Sequence, residues 1–167
     1  MRTDRKTIER VLKGDTEAFN LLVRQWEKPI YNFILRLIGD RDEAMDLCQD
    51  SFLKAYRELA TLKDLDRFSS WLYRIAHNTC FSRLRQGQGK TFVELDPEMN
   101  PGHTSIESRL SVERALHELP EDQREVVVLK VYQGLKFEEI AEIQGAPVST
   151  VKSRLYMGFE KLRTILE

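Results

Sequence analysis

The sequence predicts an all-α protein: two small helical domains joined by a flexible linker, the second a helix-turn-helix. Apolar residues recur at three- and four-residue spacing through most of the 167 residues, the mark of amphipathic helices. A stretch with turn chemistry and no sustained period, from Gln86-Gly-Gln-Gly-Lys to Asn100-Pro-Gly, splits these segments into two groups. Near the end, Gly145 and Pro147 break two amphipathic segments at helix-turn-helix spacing. The expected organisation is a first domain over 1–86, a linker over 87–110 and a second domain over 111–167.

Residues 4–13 read as a short helix ended by Gly14. Asp15 caps the next, which carries Ala18, Phe19, Leu22, Val23 and Trp26 at helical spacing. Pro29 suits the first turn of a third helix, Ile30 to Ile38, closed by Gly39, with Ile30, Phe33, Ile34, Leu37 and Ile38 as core. Asp40 and Glu43 have capping-box spacing for a fourth helix running to about Leu59. Its buried stripe is expected at Ala44, Leu47, Cys48, Ser51 and Ala55, with Phe52 and Tyr56 alongside. Asp42, Asp46, Gln49, Asp50 and Leu53 line another face, which is either simply solvated or a docking surface for a basic partner.

The following helix, from about Arg67 to Arg85, lies in a stretch (67–93) that contains Arg67, Arg74, Arg83, Arg85 and Lys90 and no acid. Phe68, Leu72, Ile75, Ala76 and Thr79 form its apolar side; Arg74, Asn78, Phe81 and Arg85 fall opposite, flanked by Trp71 and His77. An aromatic ring on a basic, polar face suits stacking of unpaired bases beside a phosphate-tracking surface. Packing of Phe81 and Trp71 on a neighbouring helix is the alternative. Arg83 falls on the apolar side, so the helix is expected to end or fray early. The linker 87–110 spans up to roughly 80 Å at about 3.3 Å per residue, about two turns of B-DNA at roughly 34 Å each.

The second domain opens with Val112, Ala115, Leu116 and Leu119, then Pro120-Glu-Asp at a helix start. Arg124 to Tyr132 has strand propensity in its valines, but its neighbours and Gly134 favour a helix. Phe137, Ile140, Ala141 and Ile143 mark the first helix of the helix-turn-helix. Ser149 is the expected N-cap of the second, with Val151, Leu155, Phe159 and Leu162 as its buried stripe. Residues 149–163 hold four Lys/Arg and one acid, whereas 111–148 hold four bases and eight acids. Positive charge is thus concentrated on one helix, whose candidate contacts with a major groove are Ser149, Thr150, Lys152, Ser153, Arg154, Tyr156 and Met157.

The formal net charge of −1 means that any affinity for nucleic acid comes from such local patches. No apolar run reaches eighteen residues and no secretory signal follows Met1-Arg-Thr-Asp-Arg-Lys, so a cytoplasmic location is expected. Cys48 and Cys80 fit reduced, mostly buried thiols. His77 and Cys80 lack the further ligands of a closed zinc site, so no metal or cofactor is expected. No acid, base and nucleophile set meets the needs of a catalytic site.

Taken together, the chain resembles the extracytoplasmic-function sigma factors, small two-domain initiation subunits of bacterial RNA polymerase. The resemblance is carried in order by Gly14-Asp-Thr-Glu-Ala-Phe19, Asp46-Leu-Cys-Gln-Asp-Ser-Phe-Leu-Lys-Ala-Tyr56 and Phe68-Ser-Ser-Trp-Leu-Tyr-Arg-Ile-Ala-His-Asn78. It continues in Leu119-Pro-Glu-Asp-Gln-Arg-Glu, Phe137-Glu-Glu-Ile-Ala141 and Ser149-Thr-Val-Lys-Ser-Arg-Leu155. It implies that Asp46, Gln49, Asp50 and Leu53 dock on the clamp coiled coil of the polymerase core, with the core's flap a further contact. It also implies that Trp71, Arg74, His77, Asn78, Phe81 and Arg85 recognise and melt the downstream promoter element. The helix-turn-helix would read the upstream element as duplex, and an anti-sigma factor would hold the chain inactive. One departure from the family pattern is Tyr156-Met-Gly-Phe159, where a basic stretch is usual. The rival readings are a free-standing helix-turn-helix repressor or activator, which has no use for the acid-free aromatic helix, and a DNA-acting enzyme, which lacks its site.

Overall fold

The computed structural model describes residues 5–86 and 106–167, and only the backbone of 106 and 107. These residues form eight α-helices: α1 Arg5–Leu12, α2 Thr16–Ile38, α3 Arg41–Glu58, α4 Phe68–Arg85, α5 Ile106–His117, α6 Glu121–Val127, α7 Phe137–Gln144 and α8 Val148–Leu166. No strand occurs among the described residues, so the expected all-α class is the observed one. The valine-rich run is helical throughout: α6 passes into a π-helical turn, Val128–Tyr132, and Gly134 then turns the chain at φ 71°. Most of the linker expectation lies outside the described residues, but α5 begins at Ile106, within the stretch assigned to it.

The first lobe is built on α2. Asp15 caps it, its Oδ1 accepting from the Ala18 amide at 3.3 Å, and Gly39 ends it in the left-handed region at φ 85°. The two helices expected on either side of Pro29 are one, because α2 runs unbroken from Thr16 to Ile38. Proline deletes one amide donor from the ladder. Burial of Trp26, Ile30, Phe33 and Ile34 on both sides of it holds the axis together. Asp40 caps α3, accepting from the Glu43 amide at 3.0 Å, and the expected stripe Ala44, Leu47, Cys48, Ser51 and Ala55 is buried. Helix α4 follows two 3-10 turns and buries Phe68, Leu72, Ile75, Ala76 and Thr79 against α2 and α3. It does not end early. Arg83 crosses to α3, donating to Glu43 Oε1 at 2.7 Å and lying 3.7 Å from Asp46, so its charge is matched where the helix meets its neighbour.

In the second lobe α8 packs on α5, α6 and α7. Two local expectations are corrected. The N-cap of α8 is Pro147, not Ser149: its fixed φ of −63° with an extended ψ lets its carbonyl accept from Val151 at 3.1 Å, leaving Ser149 exposed in the first turn. The buried stripe runs through Val151, Leu155 and Gly158, while Phe159 is 42% exposed. A Cβ on Gly158 would stand 3.1 Å from Val127 Cγ2, so glycine is what lets α8 approach α6 this closely. Arg124 is caged by backbone carbonyls of Leu116, His117 and Leu119, and reaches across to the Leu37 carbonyl at 2.8 Å. Burial, only partly offset by Glu121, holds its pKa below the usual arginine value.

The lobes are packed on one another, with α7 against α4 and α5 and α6 against α2, and the buried apolar residues of both form one cluster.

Candidate nucleic-acid interface

Three surfaces carry the residues singled out in the sequence. On α3, Asp46, Gln49 and Leu53 are exposed and Asp50 is half-buried. Leu53, 54% exposed, stands at the edge of an apolar groove of about 530 Å³ between α2 and α3, lined also by Phe19, Val23, Met45, Phe52 and Tyr56. Phe19 and Tyr56 meet edge to face, ring centroids 4.8 Å apart. Of the stripe, Gln49 and Leu53 line this hydrophobic trough, whereas Asp46 lies toward Arg83 of α4, so an apolar trough stands beside an acidic face. Cys48 lies in the wall of this groove, its thiol pushed up to about 12 by burial and then by Glu27, which makes it a packing group rather than a nucleophile.

On α4, Arg74, Asn78 and Arg85 are exposed along one stripe, as expected. Asn78 borders a pocket of about 290 Å³ shared with Ile75 and with Lys54, Arg57 and Glu58 of α3. Lys54 and Arg57 were not among the candidates; they are cations on the C-terminal half of a helix read for its acids. The aromatic residues behave differently. Phe81 is half-buried and stacks on His77 with centroids 4.5 Å apart, and Trp71 is half-buried against Phe68. His77 is committed to the second lobe: its Nδ1 lies 2.6 Å from Glu125 Oε2, on a carboxylate with no exposure of its own. The polar residues of the stripe thus face solvent, while the two rings are half-buried and each meets another ring of α4 itself.

On α8, Ser149, Lys152, Ser153, Tyr156 and Met157 project outward and Thr150 is half-buried, with Tyr156 71% and Met157 48% exposed. Lys152 Nζ lies 5.4 Å from the Phe137 ring centroid, which Lys130 approaches to 4.3 Å. Arg154 is different from the other six. Its Nε lies 3.2 Å from Asp122 Oδ2, and its Nη1 donates to Gln144 Oε1 at 2.9 Å. Gln144 in turn donates to Glu125 Oε1 at 2.9 Å. A chain of polar contacts therefore runs from Arg154 on α8, through Gln144 and Glu125, to His77 on α4.

Two family models match: Sigma-70 region 2 over residues 22–90 and Sigma-70 region 4 over residues 109–162. Relatives are similar along nearly the whole chain. The RNA polymerase sigma-H factor of Pseudomonas aeruginosa is 34% identical, covering 98% of this chain and 94% of its own. The ECF RNA polymerase sigma-E factor of Escherichia coli is 36% identical over 96% and 92%, and the ECF sigma factor SigW of Bacillus subtilis 32% over 95% and 94%. The chain belongs to the ECF sigma factors of RNA polymerase. Among solved structures, CnrH in complex with the cytosolic domain of CnrY superposes with a TM-score of 0.76 at 26% identity, covering 98% of this chain and 96% of that one. RpoE of Bartonella quintana, in complex with the anti-sigma factor NepR, gives 0.73 at 26% identity over 89% and 96%.

In this sigma factor the region 2 match spans most of α2 with α3 and α4, and so holds the α4 stripe and the groove except for its Thr16, Phe19 and Asn20, while the region 4 match spans most of α5 with α6, α7 and most of α8. No helix among the described residues is long and apolar enough to cross a membrane. What sequence reasoning missed is the groove itself and the interlobe partners of His77. The apolar positions Phe19, Met45 and Tyr56 carried the first signal; the second has none, since Glu125 and Gln144 read as ordinary helix-face residues.

Proposed function

We propose that this sigma factor docks on core RNA polymerase through Asp46, Gln49, Asp50 and Leu53 on α3, beside the α2–α3 groove that Gln49 and Leu53 line. The melted strand of the downstream element then lies on Arg74, Asn78 and Arg85, with Trp71, His77 and Phe81 supplying rings for stacking. Ser149, Thr150, Lys152, Ser153, Tyr156 and Met157 face the major groove of the upstream element, and Arg154 braces the helix that carries them. The observation that carries this reading is that one chain presents two separate exposed faces bearing cations, the Arg74–Asn78–Arg85 stripe on α4 and the first turns of α8 with Lys152. A duplex reader needs only one. Polymerisation chemistry rests with the core enzyme, to whose clamp coiled coil and flap the chain binds, and this chain supplies specificity. The solved complexes of RpoE with NepR and CnrH with CnrY support an anti-sigma partner here as well.

Reconstituted holoenzyme tests the reading. Asn78→Ala is expected to bind core polymerase and promoter normally but to lower permanganate reactivity of thymines in the downstream element. Full reactivity would place the melting surface elsewhere.

A further inference from the structure

We infer that α8 reads thymine rather than guanine: Met157, with Tyr156 beside it, packs on the C5-methyl group of a thymine in the upstream element. The inference rests on the reading of α8 as the helix that faces the major groove.

The helix sorts its side chains by face. At about 100° per residue, Val151, Leu155 and Gly158 lie on the buried side, and Ser149, Ser153, Tyr156, Met157 and Glu160, all exposed, lie opposite. That outward stripe carries no cation. Lys152 stands to one side of it, leaning toward Phe137. Arg154 stands to the other, held by Asp122 and Gln144. The second arginine of the helix, Arg163, is about 21 Å along the axis from Ser149 and donates to Glu160 Oε2 at 2.7 Å. The commonest specific contact in a major groove is an arginine or lysine on the O6 and N7 of guanine. Neither arginine of α8 is placed to make it, and Lys152 is turned to the flank, where it meets the backbone.

What the stripe presents instead is apolar. Tyr156 is 71% exposed and Met157 48%, neighbours on a surface otherwise lined by two serines and an acid. An exposed apolar pair with a polar rim has the make-up of a contact site. Ser149 and Ser153, small and one turn apart, keep the first turns slim and let the helix sit deep. From Ser149 to Met157 the helix rises about 12 Å, no more than the width of the major groove, so Met157 still lies within it. Thymine is the one base that places a methyl group there. Methionine is unbranched and flexible, and its thioether end can mould onto such a group. The first two residues of Tyr156-Met-Gly-Phe159, where the chain departs from a basic pattern, thereby gain a role.

The test uses reconstituted holoenzyme and a duplex upstream element chosen by selection from random sequence. Each thymine on either strand is replaced in turn by deoxyuridine, which keeps every base-pair hydrogen bond and loses only the methyl group. One position is expected at which uracil costs about fourfold in affinity, the worth of one buried methyl. Met157→Ala should lower affinity for the thymine duplex by a similar factor, bind the thymine and uracil duplexes equally, and melt at the wild-type temperature. Met157→Leu should keep the discrimination. An element with no thymine sensitive to loss of its methyl overturns the inference, and so does a sensitivity that survives Met157→Ala. Failure of Met157→Ala to assemble with core polymerase would assign the residue to a protein contact and overturn it as well. Each of these failures leaves α8 in the groove so long as Lys152→Ala lowers the salt dependence of binding. If that dependence is also unchanged, the reading of α8 falls and the inference with it.

Discussion

Lys152 and Arg154 are two residues apart on α8, and the structure separates their roles. Lys152 is exposed, and its cation–π approach to Phe137 at 5.4 Å is worth about 0.5 kcal/mol at such a site. Lys152→Ala should therefore leave stability within about 0.5 kcal/mol of wild type while removing one phosphate contact. One contact contributes about 0.9 to the slope of log K against log salt, so the affinity lost between about 50 and 200 mM salt should shrink by roughly 3.5-fold. Arg154 is mostly covered and holds both Asp122 and Gln144. Arg154→Ala unpairs Gln144 and loosens its hold on Glu125, at a cost of about 1–2 kcal/mol in stability with little change in salt slope. The assay is a salt series of holoenzyme binding to duplex upstream DNA chosen by selection from random sequence, with thermal melts of the free chains. An unchanged slope and affinity for Lys152→Ala would refute the groove-facing assignment of α8. Wild-type melting of Arg154→Ala would refute the brace.

Three other outcomes are expected. Asp50→Lys should impair holoenzyme assembly while leaving helix content intact, measured by co-elution with core polymerase and circular dichroism; normal assembly would remove the docking assignment. Arg83→Met should destabilise the fold by about 1–3 kcal/mol in urea titrations, since it leaves the Glu43 carboxylate, 19% exposed, without its partner. His117 sits behind Arg124, and burial, then the Arg124 charge, holds its pKa down at about 4, against 6.5 in the unfolded chain. The unfolded chain accepts a proton that the folded one refuses between these values. Stability from this group is therefore full above pH 6.5 and lost as pH falls toward 4, by about 1–2 kcal/mol near pH 5 after allowing for partial exposure. Urea unfolding near pH 7.5 and pH 5 should show that loss in wild type and much less of it in His117→Gln.

The helices and their caps were legible because their signals are local. Asp15, Gly39 and Asp40 each act within a turn of their own position, and period alone placed Ala44, Leu47, Cys48 and Ser51 in the core. Where the reading failed, a neighbour overrode the local rule. Pro29 stays inside a helix because both sides of it are buried. Gly158 takes the place of Phe159 in the stripe because α6 comes so close that a Cβ there would crowd Val127. Arg83 belongs on its helix because acids on α3 lie opposite. The α4 candidates show the same division: Arg74, Asn78 and Arg85 stand where the helical wheel puts them, whereas the environment of His77 depends on Glu125, 48 residues away. No periodicity reports a pairing at that distance.

The composition of the interlobe surface bears on how it works. A permanent interface is built like a core cut in half, with apolar faces that cannot be left in water. Here apolar packing is combined with Arg36–Glu113, Tyr73–Gln133, His77–Glu125 and Arg67–Glu142, and every one of these groups is well hydrated when released. Each polar contact contributes little net free energy when formed, because water replaces it on opening, but costs more if the closed form leaves one member unpaired. These polar contacts select one register of the lobes, while the apolar cluster that runs through both supplies the packing. The same logic places the strongest lever at the deepest pair: the exposed Arg67–Glu142 contact is screened by solvent, whereas Arg36 and Glu113 are almost wholly withdrawn from it.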